Sequence, residues 1–367
     1  MNDLINKCTS FVQTYQTIQK ENFTKQMLQK LSDCDYLGWM SPESYGGQGK
    51  NAQEMILAGE YLMLHTKNLG IVLSWVIHEI VTSWFISCFG NDKQKKDYIP
   101  KLIKGQLSGS FAVSEPQVGP HPKLLKTKAT RKENWVELNG EKTYLTNGPI
   151  ADLYIVIAIS NIRNNRKQYS AYIVTKDNNG LSCTEPIEFP FVTTSPHGGI
   201  ILNNCKISSD NLLGEENTAY DLMVKPFREI EDTLMMGPIL GGMQIQLNGL
   251  IEHIKKSELS LDNKQLICIG NLKTQISMAR VIAQKTATFL DNKIRSSDLV
   301  SLLLGFRQLA SSFQTYYSEL LEQIPSPMDE DYLILTKDLC GIGKVASKVM
   351  LKKQMQIGKN LLSNNIC

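Results

Sequence analysis

The spacing of apolar residues divides the chain into three regions. In the first, the stretches 52–69 and 72–89 carry apolar residues at helical spacing, and the second stretch is apolar on nearly every side. The run Tyr45–Gly49 interrupts this spacing, because clustered glycines favour positive φ angles and hence loops. The pattern predicts an N-terminal helical domain over residues 1–109.

Short stretches rich in β-branched and aromatic residues follow, for example WVELNG, LYIVIAIS and QYSAYIVTK. Turn signals separate them at Asn139-Gly140, Asn147-Gly148 and 178–180. Several short strands at this spacing predict a small antiparallel β-barrel or sandwich. We place this middle domain over residues 110–215.

The helical period returns after Gly214 and continues towards the C-terminus. Long amphipathic stretches lie at 272–292, 298–322 and 332–357. Helices joined by short turns favour an antiparallel bundle, which we predict over 216–367. The predicted fold class is therefore α+β and multidomain: an N-terminal helical domain, a middle antiparallel β-barrel and a C-terminal antiparallel four-helix bundle.

Composition argues against several classes of function. A net charge of +3 is too small to predict nucleic-acid binding, and no apolar run is expected to reach the roughly 20 residues of a membrane span. The N-terminus lacks a basic segment followed by an apolar core, so no secretory signal is predicted. The eight cysteines are scattered, without a CxxC pair or a histidine at ligand spacing, so we predict no metal site. Scattered thiols are typical of a reducing compartment, and we predict a cytoplasmic location.

Five strings of residues follow one another along the chain, in 37–49, 89–105, 111–116, 138–148 and 211–215. The first includes YGGQG, and the last three read FAVSEP, LNGEKTYLTNG and NLLGE. In this order and spacing, the strings resemble motifs of the acyl-CoA dehydrogenase family. This resemblance implies the family's order of helices, a β-barrel and further helices. The last third of the chain is similar to the family only in helical character and isolated positions.

The resemblance also implies a bound FAD. The isoalloxazine ring is flat and apolar with polar edges, so its site needs an aromatic face with hydroxyl and backbone donors. The matching positions here are Phe111, Val113, Ser114, Tyr144 and Thr146. From the residues alone, a strand pair that packs a barrel is the better explanation of Tyr144 and Thr146, and the flanking motifs of the resemblance favour flavin contacts instead.

The loop that binds the FAD pyrophosphate in the family departs from the family pattern here. Its place is taken by Glu115-Pro116-Gln117-Val118-Gly119-Pro120, with Gly119 as the expected cofactor-binding residue. Proline has no backbone N–H to donate and stiffens a loop, so this segment differs from the family's loop in hydrogen-bonding capacity as well as in sequence. The family's adenine-side string is also missing, because 253–260 lacks its Arg, Phe and Gly.

The resemblance implies a carboxylate base for α-proton removal. The family's usual C-terminal segment with its Glu has no counterpart before Cys367, so the chain resembles a C-terminally truncated member. A minority of the family carries the Glu on the first helix after the barrel, and Glu231 matches that position by counting back from Gly241. The alternative is that Arg228, Glu229, Glu231 and Asp232 form a solvated helix face.

A cluster of basic residues lies in the predicted barrel at Lys123, Lys126, Lys128, Arg131 and Lys132. It is suited to the 3′-phosphate of CoA or to the acidic surface of an acyl carrier protein. The plainer explanation is that it forms the solvated side of a hairpin.

These expectations combine into FAD-dependent α,β-dehydrogenation of an acyl thioester, carried by CoA or by an acyl carrier protein. Two alternatives stay open: a catalytically inactive subunit or scaffold, and a flavin-dependent monooxygenase on the same fold. The resemblance further implies a homodimer or homotetramer, with an electron-transfer flavoprotein or another subunit as partner.

Overall fold

The computed structural model describes residues 20–294, 296–325 and 328–363, which fall into two compact units. The first, called the sheet unit, combines the described part of Met1–Asn51 with Gly70–Phe189 and Thr193–Glu231. The second, called the helical unit, combines Ala52–Leu69 and Pro190–Val192 with the described part of Asp232–Cys367. The three predicted domains, 1–109, 110–215 and 216–367, stay a prediction.

Several of the described helices begin at a residue whose side chain caps them. The Asn91 side chain accepts the Gln94 N–H and the Gln94 side chain accepts the Asn91 N–H, and Asp262 and Gln265 make the same reciprocal pair. Ser296 caps a further helix through the N–H of Leu299. In chain order the helices are α1 Lys25–Asp33, α2 Ala52–Thr66, α3 Leu69–Phe89, α4 Asp92–Ile103, α5 Lys225–Leu234, α6 Met236–Lys256, α7 Asn263–Asp291, α8 Ser297–Glu322, α9 Glu330–Lys344 and α10 Ser347–Ser363.

Helix α3 corrects one expectation from the sequence. By length and composition alone Leu69–Phe89 is apolar enough to cross a membrane, but 94% of its most apolar window is buried inside the protein. A buried core helix passes the same test, so it is weak evidence for a span. Within α3, Ile80–Ile86 forms a π-helical segment, and its Phe85 ring packs against Phe111 at 4.4 Å between centroids.

Eight strands form one sheet in the order β6-β7-β3-β2-β4-β5-β8, with β1 paired to β4. Most pairs are antiparallel, as predicted, but β1 and β2 both run parallel to β4. Parallel neighbours need a crossover connection, and the chain between β1 and β4 supplies one. The strands are β1 Gly109–Ala112, β2 Lys128–Arg131, β3 Trp135–Thr146, β4 Leu153–Arg163, β5 Arg166–Thr175, β6 Leu181–Cys183, β7 His197–Ser208 and β8 Leu212–Leu213.

The predicted turn at Asn139-Gly140 is wrong. Both residues lie inside β3, and the pairing with β7 shifts between Leu138 and Gly140. Gly140 has a φ of +151°, and a Cβ there would overlap Thr127, the residue before β2. The asparagine–glycine signal therefore marks a bulge in a continuous strand rather than a hairpin. The other two turn signals are confirmed, since turns follow β3 at Asn147 and β5 at 178–180.

In the helical unit, α2 packs closely on α6. A Cβ at Gly237 would overlap the carbonyl oxygen of Ile56, so glycine permits the two helix backbones to approach. Arg280 of α7 adds an ion pair with Glu60 of α2. The helix predicted over 332–357 is divided instead: α9 ends at Lys344 and α10 begins at Ser347, with Ala346 left-handed between them at φ 57°.

Candidate functional site

The end of β3 lies beside β1 and the residues that follow it. The Ser110 hydroxyl donates to the Thr146 carbonyl at 2.7 Å, and the Thr143 N–H donates to the Ser114 carbonyl at 2.9 Å. Residues from two predicted motifs, far apart in sequence, are thereby brought together. The two bonds bring Ser110 and Ser114 to the end of β3, and the other predicted residues, Phe111, Val113 and Tyr144, lie next to these positions along the chain.

Tyr144 has an unusual backbone conformation. Its φ is +60°, and the pairing of β3 with β7 shifts register between Lys142 and Leu145. For a bulky residue this conformation is an outlier that costs energy, and such residues cluster at functional sites. The Tyr144 side chain is 51% exposed, and its ring lies 6.1 Å from the Phe189 ring. Tyr144 is therefore not a packing residue of the sheet core.

The Thr146 hydroxyl is oriented by a buried histidine. His197 Nδ1 lies 2.9 Å from the Ser195 carbonyl oxygen, and Nε2 lies 3.2 Å from Thr146 Oγ1. Burial lowers the pKa of His197, with the Ser195 hydrogen bond opposing it. A carbonyl only accepts, so Nδ1 carries the proton, and the neutral ring leaves Nε2 as the acceptor. The Thr146 hydroxyl consequently donates to His197 and keeps its lone pairs for another group.

This assignment predicts a measurable coupling between the two side chains. In a double-mutant cycle with His197→Leu and Thr146→Val, we expect a coupling of about 0.5–1.5 kcal/mol in the free energy of unfolding, the value of one hydrogen bond. Denaturant unfolding of the four proteins measures it. His197→Leu combined with Ser110→Ala is the matched control, and purely additive effects in the His197–Thr146 cycle would contradict the assignment.

A buried ion pair fixes the segment after β1. The Lys142 side chain has no exposed surface, and Nζ donates to Glu115 Oε1 at 3.0 Å and to the Val113 carbonyl at 3.1 Å. The Glu115 carboxylate also accepts the N–H groups of Lys126 and Thr127, at 2.6 and 2.9 Å. Burial lowers the pKa of Lys142 to about 8, although Glu115 acts in the opposite direction. Burial alone would raise the pKa of Glu115, but Lys142 and Thr127 hold it below its ordinary value.

Gly119 lies in a tight turn that Glu115 begins. The Glu115 carbonyl accepts the N–H of Gly119 at 2.9 Å and that of Val118 at 3.3 Å. The N–H expected to face a phosphate is thus engaged inside the turn. His121 follows on the surface, and its carbonyl accepts the Leu124 N–H at 2.9 Å. The structure places Gly119 in the same loop as Ser114 but gives its N–H a different partner.

Glu231 lies on the face of α5 that carries Phe227, since residues four apart share a helix face. The Phe227 ring packs on Phe111 at 4.6 Å between centroids. The Glu231 side chain is 16% exposed, and Arg228 Nη1 lies 2.8 Å from its Oε2. A solvated helix face does not describe this residue. Its neighbour Asp232 has a different partner, Arg307 of α8, at 2.7 Å.

The arrangement suits a flat aromatic ring with polar edges. An exposed aromatic ring, a hydroxyl with lone pairs to offer and backbone held in place by a buried ion pair lie within one part of the sheet unit. These are the groups that a ring of this kind requires. The turn at Gly119 matches the family's pyrophosphate loop less well, because its N–H groups bond within the turn.

Sequence reasoning missed His197, Phe189, Phe227 and the pairing of Lys142 with Glu115. Lys142 and Glu115 are 27 residues apart, and His197 lies 51 residues from Thr146. Charged residues are usually exposed, so nothing in the letters marks Lys142 as buried. One feature of the sequence could have indicated His197: it follows Ser195-Pro196 directly and begins a stretch that contains β-branched residues.

Comparison with known proteins supports the same assignment. Residues 5–106 match the family model described as acyl-CoA dehydrogenase, N-terminal domain, and residues 110–205 match its middle domain, so the two models together span more than half of the chain. The chain belongs to the acyl-CoA dehydrogenase family. The predicted family and fold class are confirmed.

Members of the acyl-CoA dehydrogenase family align over different shares of the chain. The L-prolyl-[peptidyl-carrier protein] dehydrogenase of Pseudomonas fluorescens is 26% identical over 275 residues, which is 73% of this chain and 72% of that protein. The acyl-CoA dehydrogenase of Bacillus subtilis is 33% identical over 202 residues, 55% of this chain and 53% of its own length. The chain thus aligns with about half of this second relative.

A solved structure shares the fold over nearly the full length. The FAD complex of PigA superposes with a TM-score of 0.84 at 20% identity, and the match covers 98% of this chain and 95% of that one. At 20% identity, this similarity is evidence for the shared fold and not for a shared function.

Proposed function

We propose that the protein is an FAD-dependent dehydrogenase that forms an α,β double bond in an acyl thioester. The observation that carries this proposal is the position of Glu231. It is mostly buried and lies one turn after Phe227, whose ring packs on Phe111 of the predicted flavin set. A carboxylate in that position is what α-proton removal requires.

The ring end of FAD would be held by Tyr144, Thr146, Phe111 and the Val113–Ser114 backbone. When bound, FAD supplies an acceptor for the hydride that leaves the β carbon. Thr146, with its hydroxyl proton directed to His197, offers lone pairs to a donor at the ring edge.

Glu231 would take the α proton of the substrate. Arg228 Nη1 donates to Oε2 of this carboxylate at 2.8 Å and orients it, and an ionised carboxylate is the form that acts as a base. The aromatic rings of Phe85, Phe111 and Phe227 pack together, and Phe227 lies one turn before Glu231 on α5. The Arg228 and Glu231 side chains are only 25% and 16% exposed, so their charges interact at a lower effective dielectric than in bulk water.

Two observations favour an enzyme over an inactive scaffold. A scaffold would not need the costly left-handed conformation of exposed Tyr144, nor a mostly buried Glu231. A monooxygenase on this fold would not require the carboxylate. We therefore favour the dehydrogenase over both the inactive scaffold and the monooxygenase.

The substrate carrier and partners follow from the same proposal. We propose an acyl group carried by CoA or by a carrier protein, and an electron-transfer flavoprotein or another subunit as the electron acceptor. The six cysteines in the described parts of the chain are thiols, which agrees with a cytoplasmic location.

We also propose a homodimer or homotetramer that forms through the helical unit. Helices α7 and α10 expose apolar side chains at helical spacing, which a second copy would bury. They are Ile267, Met278 and Val281 on α7, and Leu351, Met355 and Leu362 on α10.

The proposal is tested by the visible absorption spectrum of the purified protein, before and after addition of FAD. We expect flavin bands that remain after gel filtration, and bleaching of these bands by an acyl thioester under argon. A protein that retains no flavin would favour the scaffold. A flavoprotein that no thioester bleaches, but that consumes oxygen when reduced by a flavin reductase, would favour the monooxygenase.

A further inference from the structure

Positive charge is concentrated in two stretches of the sheet unit. Residues 116–132 and 153–176 contain nine Lys and Arg and not one Asp or Glu. The chain as a whole has 39 basic and 36 acidic residues, which leaves 30 basic and 36 acidic residues elsewhere. The two stretches are therefore strongly basic and the rest of the chain is net acidic, although the net charge of the whole chain is only +3.

The fold brings the two stretches together. Strand β2 runs parallel to β4, with Lys128 opposite Ile159, so both strands end at the same edge of the sheet. Lys167 Nζ donates to the carbonyls of Lys123 and Leu125, at 2.9 and 2.7 Å, and ties the β4–β5 hairpin to the loop before β2. We call the resulting surface the basic face; it consists of Lys123, Lys126, Lys128, Arg131, Lys132, Arg163, Arg166 and Lys167.

Seven of the eight residues of the basic face are exposed, and the face carries little opposing charge. Arg131 pairs with Glu216 at 3.1 Å. Glu133 lies in the β2–β3 hairpin and Glu137 is opposite Thr130, whereas the Glu115 carboxylate, which accepts the Lys126 N–H, is buried and paired with Lys142. Two apolar side chains lie among the cations: Leu124 is 49% exposed and Ile162 is 61% exposed. Such a surface is complementary to an acidic helix that also presents apolar side chains.

The basic face connects directly to the proposed flavin site. Glu115 accepts the N–H groups of Lys126 and Thr127 with the same carboxylate that pairs with Lys142. Lys142 in turn holds the Val113 carbonyl. A partner bound at Lys126 therefore touches a loop that is fixed to the flavin-binding segment.

We propose that the basic face docks an acidic carrier protein, which delivers its acyl thioester to the neighbouring site. This rests on the proposed function for the carried thioester, and it selects the carrier protein over CoA. A lone phosphate is bound by donors that converge on one point. These cations instead spread over three strands (β2, β4 and β5), the β2–β3 hairpin and the loop before β2. A spread of like charges with apolar spots fits a protein surface, and it also accelerates diffusional encounter.

The test compares two triple charge reversals in the full-length holoprotein. Lys126→Glu, Arg163→Glu and Arg166→Glu change the basic face. Lys93→Glu, Lys96→Glu and Lys101→Glu make the same change of net charge on exposed positions of α4. The probe is a fluorescently labelled, acidic acyl carrier protein, and its Kd is measured by anisotropy at several salt concentrations. We expect the first triple to weaken binding at least about tenfold and to flatten the salt dependence, and the second to change Kd less than about twofold.

Steady-state kinetics with the same acyl group on three carriers gives the second readout. We expect the basic-face triple to raise KM for the carrier-protein thioester and to leave KM for the pantetheine and CoA thioesters unchanged. Equal weakening by both triples would mean that only net charge matters, and would overturn the proposal. A raised KM for the CoA thioester alone would assign the face to the CoA phosphate, which also overturns it. If no thioester is oxidised, the proposed function fails, and anisotropy still decides whether the face docks a carrier protein.

Discussion

Replacing Lys142 by methionine is expected to reduce the free energy of unfolding by about 3–5 kcal/mol. Methionine fills much of the lysine volume but leaves Glu115 as a buried carboxylate without its cation. It also removes the donor to the Val113 carbonyl. Since native proteins are stable by about 5–15 kcal/mol, this is a large share of the total. Urea unfolding followed by circular dichroism measures the loss.

The double variant Lys142→Met with Glu115→Gln is the control for that result. A neutral amide keeps an oxygen that can accept the Lys126 or Thr127 N–H, and it removes the uncompensated charge. We expect the double variant to recover at least half of the stability that the single variant loses. A loss below about 1 kcal/mol for Lys142→Met would show that the pair is not the main constraint on the 113–115 segment.

Replacing Glu231 by glutamine is expected to slow thioester oxidation by at least about 10²-fold, since positioned proton transfer is worth 10²–10⁴. Glutamine has the same shape, and its carbonyl oxygen can accept from Arg228, so the fold and the flavin content should not change. The rate of flavin bleaching by thioester in an anaerobic stopped-flow experiment measures the loss. It reports the reductive step alone.

Glu229→Gln, two residues earlier on α5, is the matched control and should bleach at the wild-type rate. The absorption spectrum of both variants at rest verifies that flavin is bound. Full turnover by Glu231→Gln would remove this residue from the proposed role, and the search for the base would move to other carboxylates of the sheet unit.

The fold was predictable from local sequence patterns. The periodicity over 52–69 and 72–89 appears as α2 and α3, and the ordered strings up to Glu215 indicated the family. The errors came where tertiary contacts override a local signal. Asn139-Gly140 is a turn signal in sequence, but the sheet uses Gly140 for a bulge against Thr127. The apolar run in α3 is a core helix because other elements of the fold cover it.

The site was predictable only in part, because its residues act through distant partners. Resemblance located Tyr144 and Thr146, but neither the left-handed backbone of Tyr144 nor the His197 partner of Thr146 is visible in a string of letters. Lys142 and Glu115 each sit inside a predicted motif, yet their pairing depends on how β1 and β3 meet. The residue types of the site were therefore predictable, but their contacts depend on the folded structure.

The π-helical segment Ile80–Ile86 links the number of residues in α3 to the shape of the site. Wide helical turns absorb an additional residue, so a one-residue deletion here would let α3 close into an ordinary α-helix while its flanking turns stayed near their present orientation. Such a deletion would change the position of the Phe85 ring, which projects from this segment and packs on Phe111 and Phe227. We call these three rings the aromatic wall. Along this helix, the number of residues therefore shapes the site as much as their identity does, and evolution could alter the aromatic wall by an insertion or a deletion without a single substitution.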